Sequence, residues 1–249
     1  GYEVPAYIDG DLITLFTEEF IPDIEIKEKI DSMQAEAEKG MDDVVGTATI
    51  HLSRGVGAQS LIGNLVMDAM LEYTDADFAF LNLGGIRDDI NQGSVTYRDI
   101  FDVLPFESQI ITMDISGELL KEILEIRVSY GRHGLRIAGG EILYNKTLPN
   151  FQRITQIKVA GEEWNPDKIY KVATTDFLMQ GNAGLTILTE VPEEQIAYKY
   201  IIMRDAIADY FRKHQLISSK IDNRWLMDNS SQHSEVIAEY NKRKENSSN

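Results

Sequence analysis

The chain has 249 residues, 43% of them hydrophobic, so it can bury one large core or two small ones, and wholesale disorder is excluded. Its net charge is −17, and residues 1–50 alone hold 13 acidic against 3 basic side chains. That balance excludes a nucleic-acid surface but leaves room for a single anionic ligand held by local arginines. There is no cysteine, hence no disulfide or thiolate metal site, and no apolar run approaches the roughly 20 residues of a membrane span.

Gly1-Tyr2-Glu3-Val4 has no initiator methionine, and no signal peptide follows, which reads as a mature or truncated product of a chain that has lost an export signal. Residues 1–22 form an extended lead-in around Leu12-Ile13-Thr14-Leu15-Phe16, ended by Pro22. Ile26, Ile30, Met33 and Ala37 then recur at helical spacing until Gly40 stops them, giving a narrow-faced, acidic helix. Such a helix is either a solvated surface element or an arm between two domains. A strand is expected over Thr47–Leu52. An amphipathic helix follows on Leu61, Leu65, Val66, Ala69 and Met70, then a buried strand over Asp77–Asn82 that runs into a Gly84-Gly85 turn. Ile110–Ile115 reads as a strand, with Ser116 capping a helix over Gly117–Val128. Strands over Arg153–Ala160 and Tyr170–Thr174 flank turns at Gly161 and at Asn165-Pro166-Asp167, and Glu194–His214 reads as the last helix. After about Trp225 the chain becomes a polar tail. This divides the chain into a lead-in with linker-type helix (1–43), a main domain (44–226) and a tail (227–249). The mixture of alternating elements and hairpin-like strand pairs predicts a mixed α/β, or α+β, fold.

The residues for bond-breaking chemistry are absent. His51, His133, His214 and His233 are scattered, and none has a second histidine or a carboxylate at ligand spacing. His214 closes a helix, where a cation suits the dipole, and His133 lies in a loop. No serine elbow, Walker loop or Gly-x-Gly-x-x-Gly occurs. Groups for holding a ligand are better represented. Asn82, Gly84, Gly85 and Arg87 cluster at the end of a strand, and two loop-like segments carry Phe106 and Phe177. Two aromatic faces, a fixed guanidinium and close backbone donors are what a nucleotide requires. The alternative reading places both phenylalanines in the core, where that residue type is common. Gly181 and Gly184, just past Phe177, favour a site.

The series Gly63-Asn64-Leu65-Val66-Met67-Asp68-Ala69-Met70, Asn82-x-Gly-Gly-Ile-Arg87, Gly93-x-Val-Thr-Tyr97 and Leu104-Pro105-Phe106 resembles the C-terminal domain of the 5′-nucleotidases. So do Val159-Ala160-Gly161, Pro166-Asp167-Lys168-x-Tyr170 and the segment around Phe177, and the order is collinear over about residues 44–224. The resemblance implies a four-layer α/β/β/α sandwich that binds a nucleotide or nucleoside and presents it to a dimetal phosphoesterase domain. Phe106 and Phe177 would sandwich the base, Arg87 would hold phosphate or ribose, and Asn82 would bond the nucleoside. Arg54 corresponds to a second family arginine. The family carries an aspartate in a Gly-Gly-Asp-Gly turn that bonds the ribose; here the turn is Gly181-Asn182-Ala183-Gly184, leaving Asn182 as the nearby substitute. The acidic helix falls where the family has its interdomain linker. The resemblance further implies an extracytoplasmic location, with the divalent metal pair and the catalytic residues in a domain that no segment here resembles. No cofactor and no catalytic residue is expected in this chain, which alone is expected to be inactive. A stand-alone nucleotide-binding protein without enzymatic partner is the alternative, and a scaffold with a decayed site is a third reading.

Overall fold

The run Phe78-Ala79-Phe80-Leu81 offers no polar residue to solvent, so as a strand it must be covered on both faces. In the computed structural model, which describes residues 21–55, 57–129 and 135–228, it is strand β2 (Phe78–Leu81), with every side chain buried. Full burial of a ring such as Phe78 or Phe80 contributes about 1.5–3 kcal/mol. β2 belongs to a five-stranded mixed sheet. Its parallel neighbour is β9 (Ile169–Thr175), followed outward by two antiparallel steps to β4 (Gln109–Ser116) and the edge strand β10 (Ile196–Ile202). On its other flank lies β5 (Arg136–Ala138), antiparallel.

Two smaller sheets complete the domain. One pairs β1 (Val44–Ala48) with β3 (Gly93–Thr96) on one side and β11 (Leu216–Ile217) on the other. The second runs β12 (Trp225–Met227), β6 (Gly140–Tyr144), β7 (Ile154–Val159), β8 (Glu162–Glu163). Helix α2 (Leu61–Thr74) buries Leu65, Val66, Ala69 and Met70, four of the five side chains its spacing singled out, with Leu61 partly buried, and Ser60 Oγ caps it by accepting from Gly63 N at 3.1 Å. α4 (Gly117–Ser129) starts where Ser116 Oγ accepts from Leu119 N. The fold is thus mixed α/β.

The chain divides into two compact units at Met41/Asp42. Of the first, the described part is mainly α1 (Ile24–Ala37), in which Asp23 Oδ1 caps Glu25 N and Ile26 N and none of whose residues is buried. The expected lead-in up to residue 20, the loop with His133 and the tail with His233 lie outside the described residues.

Two sequence expectations are corrected. The strand expected over Thr47–Leu52 is β1, three residues earlier; Leu52 makes only an isolated bridge to Ile90. The helix expected over Glu194–His214 is half strand. Residues 196–202 are aromatic or β-branched apart from Ala197 and Lys199, so they suit a pleated edge, and they pair with β4 from Ile196↔Met113 to Tyr198↔Ile111. The register slips before Ile202↔Gln109, with Tyr200 at φ 52°, the mark of a bulge. Helical spacing begins only at α6 (Met203–His214), which buries Met203, Ala206, Ile207 and Phe211. Periodicity also passes over short elements: α5 (Asp176–Met179), and α3 (Tyr97–Val103), whose start is fixed by a reciprocal cap between Thr96 and Asp99.

Candidate functional site

The sheet order brings three distant segments to one edge. Because β2 and β9 are parallel neighbours, paired at Phe78↔Val172 and Ala79↔Ala173, their C-terminal ends lie side by side. Asn82 leaves one and Asp176 leaves the other. β4 runs antiparallel to β9 with Ile110 opposite Thr175, so the segment entering β4, with Phe106 and Ser108, arrives at the same place. Carboxyl ends of strands in such sheets are where ligands collect.

These segments enclose a cleft of about 320 Å³ lined by Asn82, Gly84, Gly85, Phe106 and Phe177, five of the residues singled out from the sequence. Phe106 is 47% exposed and Phe177 41%, so neither ring is spent on the core. Neither Gly84 nor Gly85 needs a left-handed backbone; they form a single 3₁₀ turn after Asn82. A Cβ on Gly85 would press against Leu81 at 3.2 Å, so packing explains that glycine. Gly181, by contrast, stands at φ 79°, so its turn requires glycine for the backbone alone.

The remaining three residues surround the cleft without lining it. The Arg87 guanidinium lies 5.9 Å from the centre of the Phe106 ring and donates to Gly84 O at 3.4 Å. Arg54 donates from Nη1 to Arg87 O at 2.6 Å and from its backbone N to Asp89 Oδ1, so it braces the Arg87 segment. Behind it, the buried Arg136 donates to Arg54 O at 2.8 Å and to Ser60 Oγ at 2.6 Å. A Cβ on Gly63 would sit 2.2 Å from Arg136 Nη1, so glycine opens the space for this side chain. Burial, and next the Arg54 charge, pull the Arg136 guanidinium down to about 10. Asn182 is tied to its own turn, its Nδ2 donating to Phe177 O at 2.8 Å.

Sequence reading missed several lining groups. Glu107 and Ser108 follow Phe106 directly, and Thr175 and Asp176 precede Phe177, so proximity to the two rings was the available signal. Asp176 Oδ1 accepts from Phe177 N at 2.7 Å and from Gln109 N at 2.9 Å. Thr175 is 1% exposed, and its Oγ1 has no hydrogen-bond partner among the described residues. Gln180 and Met203 carried no signal; Met203 lay inside the misread helix. The walls carry two carboxylates and no cation, while the arginines stand outside, so the arrangement suits a ligand with a neutral flat body and an anionic end. His51 pairs with Asp89 at 3.4 Å and His214 with Glu72 at 3.0 Å, but no group of three or more potential metal ligands occurs among the described residues.

Residues 44–190 match the family model described as 5′-nucleotidase, C-terminal domain. Among curated proteins, the chain is 24% identical over 214 residues to the apyrase of Tabanus yao, covering 75% of this chain and 37% of that one. It is 28% identical over 135 residues to Protein UshA of Escherichia coli (strain K12), covering 54% of this chain and 24% of UshA. Among solved structures, a 5′-nucleotidase precursor from Thermus thermophilus superposes with a TM-score of 0.72 at 24% identity, over 83% of this chain and 44% of that one. The Haemophilus influenzae NAD nucleotidase gives 0.70 at 19% identity, over 83% of this chain and 41% of that one. The chain therefore spans less than half the length of each of these relatives. With the match running from β1 through β9 and past the Phe177 turn, the chain belongs to the 5′-nucleotidase C-terminal domain family.

Proposed function

We propose that the cleft binds the nucleoside part of a nucleotide, with the base between Phe106 and Phe177 and the phosphate outside, toward Arg87 and Arg54. The observation that carries this reading is the pair of half-exposed rings on one cleft with a guanidinium 5.9 Å from the centre of one of them. A body held by stacking and an end held by charge match the division between uncharged and anionic parts of a nucleotide. The unpartnered hydroxyl of Thr175 at the cleft gives a polar edge of the ligand something to bond. The names of relatives support the class: apyrase, 5′-nucleotidase, NAD nucleotidase. In this reading the domain presents its ligand to a dimetal phosphoesterase domain, in the same or a separate chain. An extracytoplasmic location fits the precursor form of the Thermus relative.

Calorimetric titration of adenosine and AMP tests it. Phe106→Ala and Phe177→Ala should each weaken adenosine binding by about tenfold or more, since stacking is worth about 1–3 kcal/mol per base. Absence of any nucleoside or nucleotide binding by the unaltered chain, or unchanged affinity in both variants, overturns the reading.

A further inference from the structure

Behind the Phe106 wall stands an arginine that neither lines the cleft nor faces solvent. Arg204 is 9% exposed, at the start of α6, and every part of its guanidinium meets the loop or what supports it. Nη1 donates to Phe106 O at 3.4 Å, and Nη2 pairs with Glu107 Oε1 at 3.7 Å. Nε donates to Tyr97 Oη at 3.3 Å, and that hydroxyl in turn donates to Asp205 Oδ1. The guanidinium carbon lies over the Phe101 ring, 5.1 Å from its centre. One residue earlier, Met203 N donates to Ser108 O at 2.9 Å.

We infer that Arg204 is the positioning residue for Phe106: it fixes the loop that carries the ring, so that the ring is already in place for stacking when a ligand arrives. The inference rests on the proposed reading of the cleft. A buried guanidinium is costly unless its donors are used; here Nη1 and Nη2 face two successive residues of one loop, and Nε is taken by Tyr97. Glu107 is 81% exposed in its side chain, so that ion pair is screened and contributes little by itself. The guanidinium is therefore placed to tie the Phe106 carbonyl on one side of its fork to the Tyr97 hydroxyl on the other, a pair of separated points that an ammonium cannot span. Arg204 reaches the ligand only through Phe106. Holding a ring in its bound position removes the ordering cost that a mobile ring would bring to binding.

A double-mutant cycle tests this, read by titration of adenosine and of AMP, with thermal unfolding measured alongside. Arg204→Met keeps an unbranched apolar stem and removes the guanidinium, with its donors and its contact with Phe101. Alone, it should weaken adenosine and AMP binding alike by about tenfold, while in a Phe106→Ala background it should change either by less than about twofold, the non-additivity expected of residues acting as a unit. Tyr97→Phe, which removes one link of the chain, should reproduce a smaller part of the loss. Equal losses with and without the Phe106 ring would show that Arg204 acts on the fold at large, and the inference fails. A larger loss for AMP than for adenosine would make it a phosphate group, and the inference fails again. If the unaltered chain binds adenosine and Phe106→Ala weakens it while Arg204→Met does not, the inference falls and the cleft reading stands. If the unaltered chain binds neither ligand, both fall.

Discussion

The two aromatic walls of the cleft are held in opposite ways. Phe106 sits on a loop pinned by a helix about a hundred residues further along the chain, through Arg204 to Phe106 O and Met203 N to Ser108 O. Phe177 is held largely by its own turn: Asp176 Oδ1 takes its N–H, Asn182 Nδ2 takes its carbonyl, and Gly181 N closes on Leu178 O. From outside the turn, Arg127 of α4 reaches Ala183 O. Contacts that join distant segments break only with the domain, whereas contacts inside one turn can open alone. The Phe106 wall is therefore the fixed platform, and the Phe177 wall is the one able to adjust around a ligand.

The largest expected effect comes from the residue that joins the walls. Asp176 Oδ1 accepts from Phe177 N on one side and from Gln109 N, which follows the Phe106 loop, on the other. Asp176→Ala leaves both donors without that acceptor. Hydrogen bonds to charged groups are worth about 1.5–3 kcal/mol each, so a loss of about 3 kcal/mol and a Tm lower by about 10 °C are expected in calorimetry. A change under about 2 °C would mean that the walls are independent and that the local turn holds Phe177 unaided.

A smaller effect separates Arg87 from the walls. Arg87 lies beside the fixed ring, and a guanidinium binds phosphate in a bidentate manner that an ammonium cannot copy. Arg87→Lys should weaken AMP binding by about tenfold, on the scale of one charge-assisted bond, and adenosine binding by much less. Equal losses for both ligands would place the role of Arg87 in supporting Phe106 and not in reading phosphate.

How much of this could be read from the sequence follows the same division. β2 was legible because an unbroken apolar run between turn signals has few other uses, and α2 because its apolar residues repeat every three or four positions. Phe106, Phe177 and Asn82 stand out locally as loop aromatics and a strand-end amide, but their shared site follows only from the collinear motifs, since the parallel pairing of β2 with β9 joins residues some ninety positions apart that no local pattern links. The Tyr198–Ile202 stretch misled because an edge strand with a bulge has no clean alternation, and its error concealed where α6 begins. Arg204 was invisible for a more general reason. An arginine just past an apolar run reads as a solvated helix residue, and only the packing of α6 behind the Phe106 loop turns it inward.

The smallest expected effect concerns the strain stored in the adjustable wall. Ala183 has φ 55° and ψ 23°, a left-handed backbone that crowds a Cβ against the following carbonyl. Replacing it with glycine relieves about 1 kcal/mol of that crowding, but glycine loses more freedom on folding and gives up the methyl's packing, worth a similar amount in the opposite direction. The two nearly cancel, so Ala183→Gly should lie within about 0.5 kcal/mol of the unaltered chain in chemical denaturation. Ala173 supplies the contrast: it sits mid-strand in β9, fully buried and with no left-handed backbone to relieve. There the same change has only the unfavourable part, and about 1–2 kcal/mol should be lost. Equal losses at the two positions would show that the Phe177 turn is not strained, and with that the distinction between a platform fixed by remote contacts and a wall shaped by its own backbone would lose one of its two supports.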